Sequence, residues 1–131
     1  MPSVSRYFFK TAVVSLILAL VLRVFLSIYG EGARFDPVFY HLLTVGWITQ
    51  VIFGVAHWMF PRHTRENPRG DERFVWLVYF LLNTGLALRV LCEGFLSMES
   101  GSLLRLALVV SAVFQFGAIA LFAAQIWKRV K

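Results

Sequence analysis

Four apolar runs, each longer than 20 residues and each flanked by charge or by Gly and Pro, constrain this chain more than any other feature of its sequence. A helix rises 1.5 Å per residue, so about 20 apolar residues cross the roughly 30 Å of bilayer hydrocarbon. The runs fall at about 7–29, 38–60, 74–96 and 103–127. Of 131 residues, 59% are hydrophobic and 15% charged, a balance that a soluble domain of this size cannot keep away from water. The expectation is an all-α integral membrane four-helix bundle occupying 1–131 as a single domain. The short connection around Gly30 and Pro37 returns the second span antiparallel beside the first.

The first run could be taken for a cleaved signal peptide, because it follows Arg6 and Lys10. It is too long for a signal core, and no small-x-small cleavage site follows Leu26, so it reads as a span. The net charge of +6 does not point to nucleic acid, since the basic residues sit at the ends of apolar runs, where they meet lipid headgroups. Arg6, Lys10, Arg62, Arg65, Arg69, Arg73, Lys128, Arg129 and Lys131 fall on one side, against Arg34 and Arg105 on the other. The positive-inside rule then puts both termini in the cytoplasm and the protein in the inner (plasma) membrane as a multi-pass protein. The one cysteine, Cys92, excludes an intramolecular disulfide or a CxxC motif and reads as a small buried hydrophobe.

The second span, HLLTVGWITQVIFGVAHWMFPR from His41, carries a histidine near each end. Ionisable groups inside a membrane are expensive and point to function. His41 and His57 are 16 positions apart, which on a regular helix is roughly 24 Å along the axis and ~160° around it, so they cannot share one metal. His57, within AHWMFPR, reads as an interfacial side chain that snorkels, and His63 as a solvated loop residue. His41 has other company at its depth: Arg23 near the end of the first span, and Arg89 and Glu93 near the end of the third. Each costs roughly 2.5 kcal/mol or more at mid-depth if unpaired. Snorkelling arginines and an Arg89–Glu93 pair at i, i+4 would account for them one at a time. Their convergence in one half-membrane suggests a site for an anionic, flat or metal-bearing ligand.

A b-type haem suits that cluster, with His41 as axial ligand, Arg23 and Arg89 neutralising the propionates, Glu93 beside them, and Trp47 and the stripe His41, Thr44, Val45, Ile48, Ile52 against the ring. Copper is the alternative metal, since imidazole accepts either. A second axial histidine at the same depth is missing. The iron would be five-coordinate, or take Met98 or another side chain, or receive His41 of a second copy, the arrangement we favour. Asn83, Thr84, Thr49, Gln50 and Gln115 read as interhelical hydrogen-bonding groups, and Gly46, Gly54, Gly85 and Gly117 as points of close helix approach. No Ser/His/Asp arrangement, phosphate loop or carboxylate pair supports hydrolysis or phosphoryl transfer.

A span, a short outer loop, a histidine at the outer start of the next span within HLLTVGW, then Gly54 and a closing Pro61-Arg62, resemble the N-terminal part of the large catalytic subunit of haem-copper oxidases and nitric-oxide reductases. The resemblance covers about 22 residues. It implies that His41 is an axial ligand of a low-spin haem, and nothing else carries over by motif. The family's remaining ligands lie in later spans that this chain lacks, so a complete oxidase or reductase is not expected. Self-association could rebuild part of the family's ring of four-helix arcs. The leading expectation is a cytochrome-like protein for electron transfer or gas sensing. The alternative is a cofactor-free accessory or assembly subunit of a respiratory complex. A small proton-coupled exporter ranks last, because Glu93 is the one embedded carboxylate and Arg89 is positioned to pair with it.

Overall fold

The computed structural model describes residues 1–30, 32–59, 72–94 and 101–127. The described residues form α1 (Ser3–Tyr29), α2 (Gly32–His41), a π-helical segment (Leu42–Thr49), α3 (Gln50–Met59), α4 (Glu72–Gly94) and α5 (Ser102–Trp127). Four spans long and apolar enough to cross a membrane result: Ser3–Tyr29, Arg34–Met59, Glu72–Gly94 and Ser102–Trp127. Pro61, Arg62, His63, Met98 and the basic residues after Trp127 lie outside the described residues. Helix is what hydrocarbon demands, because a backbone without water must satisfy its own N–H and C=O groups.

Local chemistry sets the ends. Gly30 closes α1 in the left-handed region at φ 77°, and its N–H donates to Leu26 O at 2.9 Å. The second span begins before Asp36-Pro37 rather than after it, and Pro37 lies inside α2. Asp36 does not cap the helix; its Oδ1 accepts from Arg23 Nη1 at 2.9 Å. Pro37 lies beyond the first turn of α2, so the helix continues through it without the bond that its N–H would otherwise donate four residues back.

Within the π segment and just before it, Thr44 Oγ1 donates to Tyr40 O at 2.7 Å, and Thr49 Oγ1 donates to Thr44 O at 2.9 Å. Wider i→i+5 turns advance each residue by less than the 100° of a regular helix. The expected ~160° between His41 and His57 therefore does not hold, whereas their placement toward opposite ends of the span does.

Second span and α4 touch at the centre of the bundle, with α1 packed on the π segment and α3, and α5 packed along α4. The core is lopsided. At the end where α1 and α4 begin, Val4, Phe8, Phe53, Val75, Val78, Leu82, Ala118 and Phe122 make one cluster, with Phe53 and Phe122 stacked at 3.7 Å between centroids. At the other end the buried apolar cluster among the described residues is Ala19, Val38 and Leu42, with Leu22, Phe35, Phe39 and Val90 packed against it. Between them, a Cβ on Gly46 would lie 2.7 Å from Ser15 Cβ and 3.0 Å from Leu86 Cδ2, and Gly54 and Gly85 are nearly as tight. Gly117 meets nothing within 4 Å; it faces outward, against the expectation of a close approach.

Gln50, fully buried, joins three helices: its Oε1 accepts from Thr11 of α1, and its Nε2 donates to Asn83 Oδ1 of α4 at 3.1 Å. Ser111 Oγ donates to Gly85 O at 2.7 Å and ties α5 to α4, while Gln115 supports Ser111 at 3.4 Å. Thr49, expected to bridge helices, bonds within its own span. Interhelical hydrogen bonds in membranes average about 0.6 kcal/mol. Gln50→Leu, which leaves Asn83 Oδ1 without its donor and breaks the link to Thr11, is expected to lower stability by roughly 1 kcal/mol, read by denaturant titration in mixed micelles.

Candidate functional site

Glu93, near the end of the described part of α4, has two basic neighbours. Arg89, one turn earlier, places Nε 2.9 Å from Glu93 Oε1, and His41 of α2 places Nδ1 3.2 Å from Glu93 Oε2. The imidazole and the guanidinium are each 24% exposed and the carboxylate 18%. These contacts are close but poorly directed, because neither Arg89 Nε nor Glu93 Oε2 has a well-aligned hydrogen bond although both atoms are buried. The attraction is mainly Coulombic, and a low local dielectric strengthens it. Arg89 also donates through Nη1 to Leu108 O of α5 at 3.3 Å. A chain of polar contacts thus runs from α5 through α4 to α2.

The geometry sorts the two nitrogens of His41. Nδ1 lies 2.8 Å from Pro37 O. A carbonyl only accepts, so Nδ1 carries the proton and donates to it, while Glu93 Oε2 lies beside that nitrogen without a hydrogen bond of its own. In the neutral ring Nε2 then holds the available lone pair. It is the nitrogen able to bind a metal or accept a proton.

Of the residues the sequence singles out, the fold brings together His41, Arg89 and Glu93. Arg23 goes elsewhere. It pairs with Asp36 at 2.9 Å, its side chain 53% exposed, and its guanidinium lies 5.5 Å from the centre of the Phe39 ring. Trp47 is half-buried in the π segment. Cys92 is buried. His57 is 5% exposed and turned into the bundle, not out to the interface as expected; it sits one turn beyond Gly54, which packs on Phe8 and Ser5. Asp36 and Pro37 are the partners that sequence reasoning misses. Asp36 lies 13 positions from Arg23, and only the hairpin makes them neighbours. Pro37 is i−4 to His41, a spacing that a helix start after the proline hides.

The residues fit a haem in part. His41 fits an axial ligand, since a ring nitrogen fixed by a carbonyl and a carboxylate leaves the other free for iron. The arginines are already committed: Arg23 to Asp36, Arg89 to Glu93 and Leu108 O. Neither stands free for a propionate. Among the described residues, no three His, Cys, Asp or Glu side chains converge as a metal site, so copper too would need ligands beyond His41. Thr44, Ile48 and Ile52, on the stripe that includes His41, are exposed. That part of the stripe looks out of the bundle, while Val45 packs against the core. Comparison with protein-family models, with curated proteins and with solved structures finds no match for this chain.

Proposed function

We propose that this is a small cytochrome-like protein of the inner (plasma) membrane, both termini cytoplasmic, that holds a b-type haem on His41 Nε2 and serves electron transfer or redox and gas sensing. The observation that carries the reading is the commitment of Nδ1 to Pro37 O and Glu93, the support that histidine ligands of metals regularly have. Haem, when bound, supplies one-electron chemistry; the chain supplies the axial nitrogen and an apolar face. Because part of the His41 stripe is turned outward, a ring held there is covered by something other than this chain. A second copy, contributing its own His41 across a two-fold axis, would cover it and complete a six-coordinate iron. The resemblance to the oxidase large subunit supports the role of His41 and nothing further.

The test is the reduced-minus-oxidised visible spectrum of the detergent-purified protein expressed with ample haem, beside His41→Ala. A sharp α-band in the wild type that disappears in the variant is the expected outcome. A colourless wild type sinks the reading.

A second reading has its own support. Arg23 and Arg89 already have carboxylate partners, and only 22% and 17% of the apolar windows of α1 and α5 are buried. A cofactor-free accessory or assembly subunit of a respiratory complex would present such faces to partner helices, and would be colourless alone.

A further inference from the structure

We infer that Glu93, held by Arg89, is a positioning residue for His41: it fixes the ring and strengthens Nε2 as a donor, instead of meeting the ligand itself. This rests on the haem reading of His41 and names what tunes that site.

Two observations point the same way. Glu93 divides its two oxygens between two helices, Oε1 to Arg89 Nε at 2.9 Å and Oε2 to His41 Nδ1 at 3.2 Å. A plain i, i+4 ion pair would leave the second oxygen for water or lipid headgroups. Here it is buried against the imidazole. Arg89 is itself anchored on Leu108 O, so the carboxylate is held from α5 as well as from α4.

The chemistry turns on the charge beside the ring. Pro37 O by itself sets the tautomer, because a carbonyl 2.8 Å from Nδ1 keeps the proton there. Glu93 adds negative charge on the same side, 3.2 Å from Nδ1 and without a hydrogen bond to it. An anion held against that side of the ring raises the electron density that Nε2 presents to a metal. An anion beside the axial ring also favours the higher positive charge of ferric iron over ferrous. Loss of such a partner typically weakens a metal site 10- to 100-fold.

Glu93→Gln removes the charge and keeps the shape. With Pro37 O still orienting the ring, the variant is expected to retain a low-spin spectrum. Ferric haem should dissociate from it roughly 10- to 100-fold more readily, by transfer to an apo-globin acceptor. The midpoint potential should rise by about 59 mV for each tenfold loss confined to the ferric form. A readout without haem comes from ¹⁵N NMR of the apo-protein in nanodiscs, labelled at histidine and assigned with His41→Ala. Its Nδ1 resonance should move in Glu93→Gln as the negative charge beside it is lost. Glu93→Asp, which keeps the charge and withdraws it by one methylene, should shift all three readouts in the same direction and serves if Glu93→Gln does not fold. Haem affinity, potential and Nδ1 resonance all equal to wild type in the folded variant overturn the inference while leaving the haem reading intact. A wild type without haem overturns the reading of His41, and the NMR shift alone then decides whether Glu93 holds the ring.

Discussion

Arg89→Ala is expected to be among the most damaging single substitutions in the spans, lowering stability by about 2 kcal/mol or more, because removing one partner of a half-buried ion pair leaves a charge without compensation. Glu93 would be left with only His41 beside it, and α5 would lose the link at Leu108 O. The loss is not a measure of what the pair contributes. Replacing both partners by uncharged groups of similar shape, Arg89→Met with Glu93→Gln, removes the stranded charge and should recover more than half of the loss. A double-mutant cycle by denaturant titration in mixed micelles checks this. If the double variant is no more stable than Arg89→Ala, the pair is not the cause and packing of the arginine stem is. Arg23 is the contrast. Its bridge to Asp36 is more exposed, so Arg23→Ala should cost less than a third as much.

Gly46→Leu carries the second large effect. Any Cβ at this position lies 2.7 Å from Ser15 Cβ and 2.9 Å from Ser15 Oγ, distances at which α1 and the second span must separate. The strain cannot be relieved by rotating a side chain, because the atom met first is a Cβ fixed to its backbone. Overpacking of this kind costs about 1–3 kcal/mol for an added methylene or two, and a leucine adds more. We expect Gly46→Leu to prevent stable assembly of α1 on the π segment, seen as loss of a folded, monodisperse species in size-exclusion chromatography. Gly46→Ala combined with Ser15→Gly, which removes the opposing Cβ, should assemble. Gly117→Leu should leave the isolated bundle unchanged, since that glycine faces open space. Equal tolerance at Gly46 and Gly117 would mean that the helices do not pack as described.

The glycines show how far reading along the chain reaches. Gly46, Gly54, Gly85 and Gly117 are indistinguishable in sequence, each a small residue in an apolar run, yet three sit under a neighbouring helix and one does not. Which side of a helix faces a neighbour is an angular question. In a span that is apolar on almost every side, hydropathy carries little angular information. His57 is misread from sequence for the same reason: its position near the end of a span is legible, its turn into the bundle is not.

What the sequence determined by itself is what the bilayer demands. Runs of more than 20 apolar residues, broken by Gly, Pro and charge, specify four spans and the depth of each group within them. Depth alone sufficed to bring His41, Arg89 and Glu93 into one half of the membrane as candidates. Tertiary structure decided the partners. Asp36 and not a ligand takes Arg23, because the hairpin of α1 and α2 lays the two side chains together. The π segment changes the helical phase after His41, so no regular 3.6-residue period places the residues beyond it. Pro37 O and Glu93 settle which imidazole nitrogen is free only once α2 and α4 meet. Depth comes from hydrophobicity added along one dimension; pairing depends on rotation about the helix axes, which is fixed only when the helices pack.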